Sequence, residues 1–304
     1  MDQFNRLLVG VSFANQDGTS IRYAAMISRL AKSEEVIFMH VANTGDCPEE
    51  LLKEYPDLLQ PVDQYARKQM EELVHEYFDG HPDTKIRYEI IQGSTLVEFL
   101  RKAKDDDIDL IVMRQRREPI AKGTLNGKLA RKAPCSLLLV PEKNEAWFDD
   151  ILVPVDFSDT SIEAMEAAVG IGAAAQEIKE IHCVHIYSVP TGYYKTGKSY
   201  EQFAEIMKGH AERQYREFIQ KVDLKGLTAV PLFSLNDNEY EGIEGVIQEH
   251  RNSLVIVGTR GRKAGAGVLL GSFAEHLIES TTSPLMTVKK KGTGMSFLDA
   301  LLEL

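Results

Sequence analysis

The sequence predicts an α/β protein made of two tandem open parallel sheets with helices on both faces. Three observations predict it. The chain repeats itself at an offset near 145 residues with the order of its motifs preserved. Within each copy, apolar runs of about five or six residues alternate with longer stretches of helical period, as βα units require. These runs are continuous rather than alternating in polarity, so each strand is expected to be buried on both faces, as in a parallel sheet covered by helices.

Taken in order, "RLLVGVSF" at 6–13 carries the first strand, expected near 6–12, and a helix follows near 19–32. "VIFMHV" at 36–41 gives a strand near 35–41, followed by a helix near 62–79, a strand near 85–92 and a helix near 94–105. "DLIVMRQRR" at 109–117 supplies a strand near 109–113, then a helix near 123–132, and "PCSLLLV" at 134–140 supplies a strand near 136–140. The polar linker "PEKNEAWFDD" spans 141–150. In the second copy the matching strings are "ILVPVDFS" at 151–158, "IHCVHI" at 181–186, "SLVIVGTRG" at 253–261 and "TSPLMTV" at 282–288, with His185 in the place of His40. Its strands are expected near 150–156, 179–187, 227–233, 253–257 and 285–289, and its helices near 159–174, 199–222, 240–250 and 272–280. Thr160 and Glu163 have capping-box spacing before the first of those helices. The tail "KKKGTGMSFLDALLEL" places Phe297, Leu298, Leu301 and Leu302 at helical spacing. So short a helix needs this chain or a partner to dock on. The expected division is 1–142, 147–290 and a tail at 291–304.

Composition narrows the functional classes. With 304 residues, 43% hydrophobic and 27% charged, the chain has the make-up of a soluble globular protein with two cores. It has no run of 18 apolar residues, and "MDQFNRLLVGVSF" lacks a basic region followed by an apolar core, so a cytoplasmic protein is expected. Cys47, Cys135 and Cys183 are far apart and without CxxC spacing, which argues for inert thiols rather than a disulfide framework or zinc site. A net charge of -11 repels polyanions. Neither nucleic acid nor a membrane is expected as a partner, and a phosphate ligand needs a locally basic pocket.

One stretch supplies such a pocket. "GTRGRKAGAGVLLGSFAEHL", residues 258–277, leaves the fourth strand of the second copy and runs into its last helix. In an open α/β sheet, ligands sit beyond the carboxyl ends of strands, where oppositely directed crossovers diverge. A helix start there offers free N–H groups and the positive end of the helix dipole. Gly258, Gly261 and Gly271 let backbone approach an anion, while Arg260, Arg262 and Lys263 bring positive charge. Ser272 is a good N-cap with or without a phosphate. The spacing G-x2-G-x9-G-S between a strand and a helix describes a phosphate cradle; a solvated glycine-rich loop is the competing reading.

The pattern Gly258, Gly261, Gly271, Ser272, with "ILVPVDFS" opening the copy, resembles the nucleotide-binding subgroup of the universal stress protein family. The resemblance covers essentially the whole chain as two copies. It implies five-stranded, Rossmann-like parallel sheets of order 3-2-1-4-5, packed as an intramolecular pseudo-dimer; a homodimer of the whole chain stays open. It implies an adenine nucleotide, ATP, as ligand, with Mg2+ held mainly through the phosphates and water. Asp156 would approach the ribose, with Pro154 and Val155 beside the base. Ile186 and Val257 would contact adenine, plain core being the alternative for both. The backbone of Gly258, Gly261 and Gly271, with Ser272 and the adjoining Phe273, would receive the phosphates. No catalytic residue is expected, nor a metal held by protein ligands.

Aligned on "IVM" and "VIV", Gly258 becomes Arg114, Gly261 becomes Arg117 and Asp156 becomes Ser12, and the loop to Gly123 and Thr124 is four positions shorter. An arginine Cβ obstructs backbone that must meet a phosphate, so the first copy is not expected to bind ATP. Its basic stretch "RQRREPIAKGTLNGKLARK", 114–132, reads either as a solvated loop and helix face or as a dock for another anion or an acidic partner. "HCVH" at 182–185 is not expected to hold a metal, because strand alternation puts Cys183 and His185 on one face and His182 on the other. "SVPTGYYKTGKSY" at 188–200 is expected as an exposed loop on the rim of the pocket, with an adenine cover or partner surface as the other reading. The chain therefore reads as an ATP-binding regulatory module of the stress-response type. A slow ATPase and a nucleotide-independent scaffold are the alternatives; no His or Glu in the glycine loop supplies a base for the former.

Overall fold

The computed structural model describes residues 4–13, 17–42, 62–115, 123–141, 147–250, 253–259 and 270–293. Among these, the chain forms two compact units, one within Met1–Trp147 that takes the chain back at Lys290, the other Phe148–Lys289.

The first unit runs β1 (Arg6–Gly10), α1 (Asp17–Ala31), β2 (Glu35–Ala42), α2 (Val62–Tyr77), β3 (Lys85–Gln92), α3 (Thr95–Asp105), β4 (Leu110–Arg114), α4 (Leu125–Lys132) and β5 (Ser136–Val140). Its strands pair in parallel in the order β3-β2-β1-β4-β5. The second unit runs β6 (Asp150–Pro154), α5 (Asp159–Ala175), β7 (Glu180–Tyr187), α6 (Tyr200–Ile219), β8 (Thr228–Leu235), α7 (Glu239–Glu249), β9 (Ser253–Gly258), α8 (Ser272–Ser280) and β10 (Leu285–Val288). Here too all pairings are parallel, in the order β8-β7-β6-β9-β10. Each unit has the 3-2-1-4-5 order that the resemblance implies. The strands and helices expected between residues 6 and 289 are all present, with ends displaced by at most three residues.

Burial explains why the strands read as unbroken apolar runs. Every residue of β5 is buried, as are all of β9 but its last. Successive side chains point to opposite faces, so such strands must be covered on both sides. The outer strands β3 and β8 are only half-buried. Pro231 is tolerated in β8 because an outer strand has a side that owes no ladder hydrogen bond. Helix α5 lies against β6 and β9, and its buried residues include Ala164, Ala167, Ala168, Gly170 and Gly172, small enough to admit close approach.

The cap of α5 differs from expectation. Ser158, not Thr160, is the N-cap, and its hydroxyl accepts the Ser161 N–H at 3.4 Å. The reason is the turn before it. Phe157 takes a left-handed φ of 63°, which delivers Ser158 in the extended conformation an N-cap needs and leaves Thr160 inside the first turn.

Past β10 the chain is fastened within the first unit. Lys291 Nζ pairs with Asp107 Oδ2 and Asp109 Oδ1, both at 2.7 Å, and Gly292 N–H donates to Pro134 O at 2.9 Å. Phe297, Leu298, Leu301 and Leu302 lie outside the described residues, as do Cys47 and the middle of the basic stretch, 116–122. Within "SVPTGYYKTGKSY" a short 3-10 turn, Tyr193–Thr196, precedes a capping box in which Ser199 and Gln202 bond each other's backbone. Tyr193 packs on Tyr200 and Phe203, while Tyr194 stays 66% exposed. No helix among the described residues is long and apolar enough to cross a membrane.

Candidate functional site

Strand β6 lies between β7 and β9, the place where successive crossovers leave in opposite directions. The carboxyl ends of β6 and β9 therefore frame the crevice in which ligands of such sheets are held. Pro154 closes β6 and is buried, and so is Val155, whose N–H donates to Val184 O at 2.8 Å. Asp156 is half-buried just beyond them. Val257 is buried in β9 at 5% exposure, whereas Ile186, near the end of β7, is half-buried and packs against Gly242 of α7.

The turn that follows β6 is built the same way as the turn that follows β1. His185 Nδ1 bonds Val155 O at 2.8 Å and its ring lies 4.4 Å from that of Phe157; His40 Nδ1 bonds Val11 O at 2.9 Å and its ring lies 4.5 Å from that of Phe13. Phe13, like Phe157, has a left-handed φ, 58° against 63°. A bulky side chain in that region stores about 1–2 kcal/mol, which the ring contact and the histidine hydrogen bond offset. The matched histidines are thus braces for the strand exit.

What differs between the copies is the chemistry hung on this shared turn. In the second copy Asp156 Oδ1 accepts Ser161 Oγ at 2.8 Å and Ser158 N at 3.0 Å, and Asp156 N donates back to Ser161 Oγ at 3.2 Å. In the first, Ser12 stands in the place of Asp156 and Asp17 in the place of Ser161. Ser12 N and Oγ donate to Asp17 Oδ2 and Oδ1 at 2.8 and 3.0 Å. The serine and the aspartate have exchanged places. Only the second copy keeps its carboxylate at the strand end, half-buried; Asp17 is sealed in at 2% exposure.

Gly258 ends β9, and a β-carbon on it would lie 2.5 Å from Thr160 O. Its lack of a side chain is required first by the first turn of α5 resting on β9, a reason the sequence reading, which assigned it to an anion, does not contain. Thr259 O then accepts Gly271 N–H at 2.7 Å, so the two ends of the glycine-rich loop are pinned together. Arg260, Gly261 and Arg262, with Lys263, lie outside the described residues.

Gly271, not Ser272, is the N-cap of α8, with no side chain to bond the exposed N–H groups. Pinning Gly271 to Thr259 makes it the last extended residue, so Ser272 falls at the first helical position, exposed. Phe273 offers a backbone N–H at the second position, while its ring stacks on Tyr240 at 6.3 Å. The corresponding helix of the first copy, α4, is capped by its own Thr124, whose Oγ1 accepts Gly127 N–H at 3.2 Å. There Asn126 is buried and donates to Arg114 O at 3.1 Å, a bond from the first turn of α4 to the end of β4. At these places the second copy has Gly271, which caps α8 with no side chain of its own, and a strand-end carboxylate, where the first has side chains.

The chain matches the profile of the Universal stress protein family twice, over residues 3–141 and 148–289. It belongs to the universal stress protein family. The universal stress protein MJ0531 of Methanocaldococcus jannaschii is 27% identical over 154 residues, covering 48% of this chain and 85% of that protein. The universal stress protein YxiE of Bacillus subtilis is 27% identical over 150 residues, covering 47% and 99%. Each of these relatives therefore matches about one copy's length. A universal stress protein crystal structure from Archaeoglobus fulgidus covers 94% of this chain and 99% of its own, with a TM-score of 0.66 at 16% identity, a likeness of fold.

The histidines of this universal stress protein also hold a grouping that the sequence reading missed. The string "HCVH" does not converge: His185 braces Val155, and Cys183 is buried beside Met165, 3.5 Å between sulfurs. His182 instead meets Asp150 and His250, a residue 100 positions away from that aspartate, which no local pattern signals. Burial pushes the Cys183 thiol up to about 12. Native protein is therefore expected to leave Cys183 unmodified by iodoacetamide at neutral pH and to label it only after unfolding, as peptide mass spectrometry would show.

Proposed function

We propose that this universal stress protein is an ATP-binding regulatory module whose second copy alone holds nucleotide. The observation that carries the reading is the contrast across the duplication. At the strand ends the second copy offers Asp156 and an α8 start whose N-cap, Gly271, has no side chain, whereas in the first Asn126 bonds across to Arg114 O and Thr124 caps its own helix. A helix N-terminus without a side-chain cap favours an anion through its free N–H groups and its dipole. Asp156 sits on the β6 side of the crevice, as a ribose contact requires, with Pro154, Val155, Ile186 and Val257 supplying apolar cover for the base. Arg260, Gly261 and Arg262 complete the phosphate end, and Mg2+ is held through the phosphates rather than by protein ligands.

In this reading residues 1–142 keep the fold without the ligand, 147–290 carry it, and 291–304 form the tail. Occupancy then sets the shape that 258–272 presents to a partner. Full-length protein should be stabilised by about 2.7 kcal/mol at an Mg-ATP concentration 100 times the dissociation constant, which a melting curve resolves. No shift with ATP, ADP or AMP would leave the scaffold as the better account. Denaturing freshly purified protein and identifying the released small molecule names the nucleotide.

A further inference from the structure

We propose that Asp150, His182 and His250 form a site for a divalent first-row transition cation, at the opposite end of the second unit's sheet from the crevice. The three come from separate elements: Asp150 opens β6, His182 lies early in β7, and His250 follows α7 just before β9. Asp150 Oδ1 lies 2.8 Å from His182 Nδ1, and Asp150 Oδ2 lies 2.8 Å from His250 Nδ1. The two rings are 5.0 Å apart and inclined at 55°. One ligand atom from each of the three lies within 4.8 Å of the others, the one such grouping among the described residues.

The neighbourhood holds these groups in place. Ile151 N–H donates to Asp150 Oδ1 at 2.7 Å, and Ser253 N and Oγ both donate to His250 O, at 3.1 and 2.8 Å. Side-chain exposures of 19%, 17% and 27% for Asp150, His182 and His250 leave the cluster sheltered but reachable by an ion.

The donor set selects the class of ion. Two imidazoles and one carboxylate suit zinc, cobalt, nickel or iron(II), whereas calcium and magnesium favour oxygen alone. Bonds of roughly 2.0–2.1 Å to a tetrahedral ion put ligand atoms about 3.3 Å apart, so the two Asp–His contacts open by about half an ångström while the two imidazole nitrogens, within 4.8 Å of each other, draw to that spacing. A metal takes imidazole through an unprotonated nitrogen, so a proton carried on Nδ1 passes to Nε2 or to water as the ion binds. Water fills the remaining positions. A cation so placed ties β6, β7 and the end of α7 together without touching the nucleotide crevice.

The test is zinc titration of full-length, chelator-treated protein against a chromophoric chelator, with cobalt as a spectroscopic substitute. About one zinc per chain is expected, with affinity at least about tenfold weaker in His182→Gln and in His250→Gln. His276→Gln, whose histidine bonds Glu244 elsewhere, should bind as the parent does. Bound cobalt should show the intense visible bands of a four- or five-coordinate ion. Equal zinc affinity in the parent and both variants would overturn the assignment. So would a cobalt spectrum of the folded parent no different from that of the aqueous ion, a result that needs no variant to fold.

Discussion

Gly258→Arg, which installs the residue found at the matching position of the first copy, is expected to abolish nucleotide binding and to destabilise the second unit by about 3 kcal/mol. The effect is steric before it is electrostatic. A β-carbon at 258 would stand 2.5 Å from Thr160 O and 2.9 Å from Thr160 Cβ, so the first turn of α5 has to lift off β9. That turn carries Ser158 and Ser161, which hold the Asp156 carboxylate, so the displacement reaches the crevice as well. Gly258→Ala should show the same effects in smaller measure, read as a lowered urea midpoint and a weaker ATP affinity on folded protein. The reverse change, Arg114→Gly, should create no site in the first copy, because Asn126 and the Ser12–Asp17 pair remain.

Exchanging Asp156 and Ser161 should separate folding from binding. Asp156→Ala alone removes the acceptor for Ser158 N and Ser161 Oγ, a loss of about 1–3 kcal/mol, and ATP affinity should fall at least about tenfold. The double variant Asp156→Ser with Ser161→Asp rebuilds the arrangement already present at Ser12 and Asp17. It should recover most of the stability lost by Asp156→Ala while remaining as poor a nucleotide binder. Recovery of both would mean that the carboxylate serves the turn alone. Chemical denaturation and ATP titration on the same preparations read the two quantities independently.

Periodicity carried the fold into the sequence because burial on both faces leaves an unbroken apolar run, as at Leu137–Val140, and the duplication doubled each signal. The partners of individual side chains were harder to read. The Ser12–Asp17 and Asp156–Ser161 exchange spans a turn five residues wide, where neither helical nor strand period applies. Asp150 and His250 meet only because β6 and β9 start side by side. The cap of α8 falls on Gly271 because Thr259 O captures its N–H, a contact between the ends of a loop that no capping rule sees. The glycine at 258 was visible, but its reason, the nearness of Thr160, belongs to packing rather than to spacing.

The most direct measurement is equilibrium binding of ATP with Mg2+ to the full-length chain, counted per chain. The asymmetry between the copies predicts about one nucleotide per chain, abolished by Gly258→Arg and unchanged by Arg114→Gly. Two nucleotides per chain, or a single one that survives Gly258→Arg in folded protein, would contradict it.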